Sequence, residues 1–158
     1  MQNSKPGDTP DGRNQRYWFH ILAQNTPAAR NLHAARLADK AWQQGDRVCI
    51  LCDTEAHAKE LDDLLWTFTP EAFLPHGIGS EQNRPGDTPV SILLQPPSDP
   101  SLWDTVIVLS STLPLSADQY LRLALVAHND PAVLDQARAH YRQLRKLGIE
   151  AQVYDMRR

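Results

Sequence analysis

Apolar and polar positions along the first half of the chain alternate in blocks that predict strands followed by helices. Residues 17–23, YWFHILA, are rich in aromatic and branched side chains and predict a first strand. The pattern then predicts a helix from residue 27 to about residue 44. Residues 47–51 form a short apolar run, typical of a strand covered on both faces. A second helix is expected from about residue 55 to residue 66.

The second half continues the same alternation. Further strands are predicted at 90–94, 105–109 and 121–127, with a short helical turn at 116–120 before the last of these. A long helix follows at 130–148, and 151–155 predicts a final strand. Strands that alternate with helices favour an α/β fold with a mainly parallel sheet. The 158 residues are expected to form one domain, 17–158, after a flexible N-terminal tail, 1–16, that is rich in Gly, Pro, Asp and Asn.

The 130–148 helix carries clear signals at both ends. Asp130 is a natural N-cap, Pro131 suits the first helical position, and Gly148 can adopt the left-handed conformation that ends a helix. On a helical wheel Tyr141 lies between two stripes. The first stripe is apolar: Val133, Ala137 and Leu144. The second contains Leu134 and three arginines, Arg138, Arg142 and Arg145.

This arrangement has two interpretations. An apolar face beside guanidinium groups and an aromatic ring is suited to a ligand with an apolar end and a negative charge. Alternatively, the helix is simply amphipathic, and its bases complement the dipole at its C-terminal end.

A second unusual segment is the loop predicted at 66–80. It contains Trp66, Phe68, Phe73, Leu74 and Ile78 among prolines and glycines, so it is too apolar for an inert surface loop. The two aromatics Trp66 and Phe73 either seal the end of the sheet or bind a partner.

Composition narrows the possible functions. The formal net charge of −3 excludes a protein that binds nucleic acid over its whole surface. Two cysteines without an export signal, and the lack of a long apolar run, predict a cytoplasmic protein that does not enter the membrane.

Cys49 and Cys52 have the spacing of a redox or zinc motif. Their position in a predicted strand points them to opposite faces, which favours two buried structural thiols.

Recognisable enzyme chemistry is absent from the sequence. The first strand is followed by residues 24–27, QNTP, whereas a phosphate-binding loop needs glycines and a lysine. The histidines have no metal-ligand spacing, and no nucleophile motif is present. An enzyme that acts on a small molecule or nucleotide remains the first alternative to an adaptor. The second is a protein that binds single-stranded DNA directly, which needs a basic groove with several stacking aromatics, whereas the sequence offers one basic helix.

Three motifs resemble the chi subunits of the bacterial DNA polymerase III clamp-loader complex. The most specific is 61–79, LDDLLWTFTPEAFLPHGIG; the second is AR-x-x-YR at 137–142; a third, weaker one is Q-x-G-x-R-V-x-I-x-C at 43–52. The resemblance extends over about 17–155. It implies a Rossmann-like three-layer sandwich without a functional nucleotide site, with no cofactor, no metal and no catalytic activity.

The resemblance also implies partners. Chi-like proteins link the replicase to single-stranded DNA-binding protein by holding its acidic C-terminal tail, which ends in a phenylalanine carboxylate. They also bind the psi subunit where it exists, and some bind a repair helicase. Their contact with DNA is mainly indirect, and the isolated chain is expected to be a monomer.

By the same resemblance, Arg138 is expected to hold the terminal carboxylate, Tyr141 the phenylalanine ring, and Arg142 the acidic residues of the tail. Leu134 stands where the family often has lysine, a departure that is expected to weaken the contact, with Arg145 as the candidate to compensate. The residues that face psi correspond to Trp66 and Phe73.

Overall fold

The computed structural model describes residues 15–69, 74–79, 89–97 and 99–157. In these ranges it contains seven strands and three α-helices. The strands are β1 (Arg16–Ile21), β2 (Val48–Leu51), β3 (His76–Ile78), β4 (Val90–Leu93), β5 (Thr105–Val108), β6 (Arg122–Ala127) and β7 (Gln152–Asp155). The helices are α1 (Pro27–Gln43), α2 (Glu55–Thr67) and α3 (Pro131–Lys146).

All seven strands form one parallel sheet in the order β3-β4-β2-β5-β6-β1-β7. Helices α1 and α2 pack on one face, and α3 packs on the other. The predicted α/β three-layer sandwich with a mainly parallel sheet is therefore confirmed. Helix α3 connects β6 to β7, and these two strands lie on either side of β1. Helix α3 therefore packs over β6 and β1, close to the edge strand β7.

Local sequence signals fix the helix ends. Thr26 and Thr54 accept hydrogen bonds from the first turns of α1 and α2, and Asp130 accepts from the amides of Ala132 and Val133 at the start of α3. Gly45 and Gly148 follow α1 and α3 with φ of 92° and 88°, values that favour glycine. The caps predicted for α3 are confirmed.

Most predicted bounds differ from the observed ones by one or two residues, and two differences change the sheet. The segment 76–78 was expected to be loop, but it forms strand β3, which pairs with β4 in the register His76 to Val90. Strand β1 begins at Arg16, one residue inside the predicted tail, and Arg16 pairs with Arg122 of β6. Residues 1–14 of that tail lie outside the described ranges.

The sheet separates two apolar clusters. Residues of β2 alternate between them: Cys49 contributes to the α3 side, whereas Cys52, just after the strand, lies on the α1 and α2 side. Both thiols are buried and unbridged, and burial raises the pKa of Cys52 to about 11. The prediction of two buried cysteines on opposite faces is confirmed.

The two helix layers are unequal. On its face α3 covers only part of the sheet, and connecting segments cover the rest with Trp103, Leu113, Ala117 and Tyr120. The hydroxyl of Tyr17 in β1 lies 2.6 Å from the carbonyl oxygen of Ala117, which ties one of these segments to the sheet. Consequently the outer side of α3 and its side towards β7 are accessible to a ligand.

Partly buried histidines should make stability depend on pH. Burial lowers the pKa of five of them: His20, His33, His57, His128 and His140. For His20 the pKa falls to about 4, helped by its neighbour His33. Below pH 6.5 the unfolded chain therefore binds protons that the folded chain excludes, so stability is lost as the pH falls towards 4.

Thermal melts between pH 7.5 and pH 4.5 should accordingly show a falling melting temperature. His20 faces His33 of α1 and Tyr154 of β7. Replacing His20 by Gln should flatten the profile, since one of the groups that must remain neutral is removed. An unchanged pH profile in His20→Gln would contradict the assignment for this residue.

Candidate functional site

Helix α3 presents arginines on its outer side. Arg138, Arg142 and Arg145 are exposed, whereas Ala137 and Leu144 are buried in the core under the helix. The bases come from successive turns because residues three or four apart lie on the same side of a helix. The three predicted arginines are thus brought together on one surface.

Leu134 does not belong to that surface. Its side chain is only 5% exposed and is part of the core cluster that also contains Phe19 and Leu125. The helical wheel placed Leu134 on the outward stripe with the arginines, whereas its side chain is buried; its role in the peptide site stays a prediction. The wheel placed Leu134 at the edge of the stripe, but it could not show that β6 and β1 pass beneath that edge. His140, which the wheel left unassigned, is also buried, with Nε2 3.1 Å from the carbonyl oxygen of Ser110.

Tyr141 occupies the boundary between the core and the surface, as predicted. It is partly buried, and its ring centroid lies 5.9 Å from that of Phe19 in β1, at an interplanar angle of 38°. An aromatic pair at this separation fixes the position of the outer ring. One edge of Tyr141 is therefore anchored in the core, while the ring remains accessible beside the arginines.

Strand β7 adds residues that the sequence did not predict. Val153 pairs with Phe19 in the sheet register, so its side chain points to the face on which Tyr141 lies, and it is 46% exposed. Asp155 is in register with Ile21 and points to the same face. Only the pairing of β7 with β1 reveals this, because nothing in residues 152–155 alone identifies their neighbours.

The charges around Arg138 leave it largely uncompensated. Its nearest acid is the exposed Asp135, at 3.6 Å between Nη1 and Oδ1. Asp155 is held by Arg157 at 2.7 Å, which keeps the pKa of that carboxyl at about 2, with a smaller contribution from Arg138. In the described part of the chain, neither Arg142 nor Arg145 forms an ion pair. The surface made by α3 and β7, here called the α3 surface, can therefore attract an anion.

A second surface lies at the end of α2. Trp66 is 57% exposed, and its ring lies 4.6 Å from that of His76 in β3. The His76 side chain is itself buried: Nδ1 is 2.7 Å from the carbonyl oxygen of Leu74, and Nε2 is 3.1 Å from that of Asp62. These contacts fix the platform under Trp66. Phe73 lies outside the described residues.

The two surfaces are far apart in the fold. Helix α2 packs beside β3 and β4 at one edge of the sheet, whereas α3 packs near β6 and β1 towards the other edge and on the opposite face. A ligand on one surface therefore leaves the other accessible.

The described residues offer neither a metal-binding cluster nor a membrane-spanning helix. Over residues 15–69, 74–79, 89–97 and 99–157, no three His, Cys, Asp or Glu side chains are grouped so as to hold a metal ion. In the same ranges, no helix is long and apolar enough to cross a membrane.

Comparison with known proteins gives one consistent result. Residues 15–152 match the family model described as DNA polymerase III chi subunit, HolC. The chain is 36% identical over 135 residues to DNA polymerase III subunit chi of Pseudomonas aeruginosa, covering 85% of this chain and 92% of that protein. It is 32% identical over 130 residues to the subunit chi of Haemophilus influenzae, covering 82% and 90%. For subunit chi of Escherichia coli the identity is 30% over 135 residues, covering 83% and 91%.

Proposed function

The chain belongs to the DNA polymerase III chi subunit family, and from this membership we propose that it is a non-catalytic adaptor of the replicase in the cytoplasm. In this role it links the clamp loader, through psi or an equivalent partner, to the acidic C-terminal tail of single-stranded DNA-binding protein. The observation that carries the proposal is the α3 surface, where exposed arginines adjoin a half-buried tyrosine.

The α3 surface suits a peptide that ends in phenylalanine. The guanidinium of Arg138 holds the terminal carboxylate by charge-assisted hydrogen bonds. The phenylalanine ring packs between Tyr141 and Val153, which are accessible on the same face of the sheet. Arg142 and Arg145 attract the acidic residues that precede the terminal residue, which mainly raises the association rate.

The neighbouring acid supports this assignment. Asp155 would repel an incoming carboxylate if it stood alone, but Arg157 pairs with it. Among the described residues, Arg138 forms an ion pair only with the exposed Asp135, and such a pair is weak. Asp155 acts on Arg138 from farther away and is itself paired with Arg157. The cation that must receive the carboxylate is therefore free of a strong competing partner.

Salt should weaken the tail contact without abolishing it. A titration of the protein with an acidic peptide ending in Phe, repeated at increasing salt, should show a falling affinity because exposed ion pairs are screened. A residual affinity should persist, since burial of the phenylalanine ring is not screened. The same peptide with an amidated C-terminus is the matched control and should bind much more weakly at every salt concentration. Complete insensitivity to salt would contradict an acidic ligand.

We assign the second partner to the surface at the end of α2 that is formed by Trp66 and His76, here called the α2 surface. An exposed tryptophan on a rigid platform is the kind of anchor that dominates protein interfaces, and Trp66 lies on the buried His76 side chain. Psi or, in some settings, a repair helicase would bind there, with Phe73 as a second contact. Because this surface is remote from α3, both partners can be held at once.

Replacing Trp66 by Ala should therefore affect binding more than folding. Its side chain is mostly exposed, so the free energy of unfolding should fall by about 1 kcal/mol or less. Capture of psi from a reconstituted clamp loader should be lost, while the acidic peptide should bind with unchanged affinity. If the variant instead melts at a much lower temperature, Trp66 seals the sheet and does not serve as a partner contact.

A further inference from the structure

The face of the sheet that carries α1 is not fully covered. Helix α1 lies across β2, β5 and β6, and it leaves part of β1 and the edge strand β7 open. The result is a groove of about 740 Å³, on the opposite side of the sheet from α3. Six of its lining residues matter here: Arg16, Trp18, His20, Lys40, Arg122 and Tyr154.

One end of the groove is lined by rings. His20 and Tyr154 are in register on β1 and β7, with ring centroids 5.5 Å apart at an angle of 31°. His33 of α1 lies behind His20, with Nε2 3.2 Å from Nδ1 of His20. Trp18, two residues before His20, points to the same face of the sheet. Tyr154 is 43% exposed, whereas Trp18 and His20 are partly buried, so the row of rings is most accessible from solvent at Tyr154.

The other end of the groove is basic. Arg16 and Lys40 are exposed, and in the described ranges neither forms an ion pair. Arg122 is bonded to the buried Asp46, with Nη1 2.9 Å from Oδ2. The groove therefore has a net positive charge, although the whole chain has a formal net charge of −3. This local excess of positive charge indicates that the groove binds an anionic ligand.

We propose that this groove binds a segment of single-stranded nucleic acid, with bases stacked on Tyr154 and Trp18 and phosphates held by Arg16 and Lys40. Single-strand binding requires two features together, a positive channel that follows the backbone and aromatic rings on which bases stack. The sequence suggested only the basic α3 helix, but the fold brings β1, α1 and β7 together to supply both features. An acidic peptide would use the positive charge, but it would leave most of the row of rings without a partner.

The test is a titration of the full chain with a short fluorescein-labelled oligo(dT), followed by anisotropy at several low salt concentrations. Lys40→Gln should weaken binding and should reduce the slope of log affinity against log salt by about 0.7, the value for one phosphate contact in a single strand. Tyr154→Ala should weaken binding about fivefold or more through lost stacking, with the salt slope unchanged. Tyr154→Phe, which retains the ring, should bind like the parent. Lys59→Gln on α2 is the charge control, because Lys59 is an exposed lysine remote from the groove whose contact with Asp63 is long, at 3.9 Å. It should leave both the affinity and the salt slope unchanged.

Three results would overturn the proposal. The first is an absence of oligonucleotide binding even at the lowest salt. The second is an equal loss in Lys40→Gln and Lys59→Gln, which indicates attraction by overall charge alone. The third is displacement of the oligonucleotide by the acidic peptide together with loss in Arg138→Ala, which places the strand on the α3 surface. The acidic peptide could instead fail to bind while Lys40→Gln and Tyr154→Ala have the effects given above. That result would support nucleic-acid binding in the groove and contradict binding of the acidic tail to the α3 surface.

Discussion

Replacing Arg138 by Ala is expected to weaken binding of an acidic peptide ending in Phe by about 2 kcal/mol or more, roughly 30-fold. The loss is large because Arg138 supplies the charge-assisted hydrogen bonds to the terminal carboxylate, beside the apolar contacts of Tyr141. Folding should be unaffected, since Arg138 is exposed and its contact with Asp135 is long. Isothermal calorimetry with the peptide measures the change.

Two further variants sharpen this prediction. Arg138→Lys retains the positive charge but loses the paired donors, so its affinity should fall between those of the parent and Arg138→Ala. Arg36→Ala removes another exposed arginine, from α1 on the other face of the sheet, and should bind like the parent. Parent-like binding by Arg138→Ala would mean that the tail binds elsewhere.

Replacing Leu134 by Ala is expected to lower the free energy of unfolding by about 2–5 kcal/mol. The side chain is almost fully buried, and its neighbours in the cluster, which include Phe19 and Leu125, belong to the sheet and cannot easily close the cavity. Chemical denaturation of the variant and the parent gives the difference. Leu147→Ala is the control, because that leucine lies just after the same helix but is 42% exposed and should cost less than about 1 kcal/mol.

The Leu134 result also separates two interpretations of the helix. If Leu134 is a core residue, Leu134→Ala should bind the acidic peptide with nearly normal affinity wherever it is folded. A stable variant with clearly weakened peptide binding would restore Leu134 to the ligand site, as the sequence alone suggested.

The parts of the fold that could be predicted are those specified by local signals. Asp130, Pro131 and Gly148 define α3 through capping and backbone conformation, which depend on few neighbours. Strand β2 was recognisable because a strand covered on both faces is continuously apolar. Such features are encoded within a few residues of each other.

The features that could not be predicted depend on pairing across the sheet. Segment 76–78 has no strand-like alternation, and it becomes β3 because β4 offers an open edge. Leu134 lies at the limit between two stripes, and only the position of the strands beneath α3 decides that it is buried.

The candidate site likewise has one part that could be predicted from local sequence and one part that depends on strand pairing. The arginines and Tyr141 share one helix, so their proximity follows from helical spacing. Val153 joins them only because β7 pairs with β1 in one particular register. The ring-lined groove on the other face likewise depends on β1 and β7 being neighbours, because Tyr154 is far from Trp18 and His20 in sequence.

The most direct test of the adaptor account is a map of the peptide site by amide chemical shifts. The ¹⁵N-labelled full chain would be titrated with the acidic peptide ending in Phe. If the α3 surface holds the tail, the perturbed amides should cluster on the outer side of α3, around Arg138 and Tyr141, and on β7 near Val153, while those around Trp66 stay unchanged. Perturbations centred on the end of α2, or confined to the groove beside α1, would contradict binding of the tail to the α3 surface.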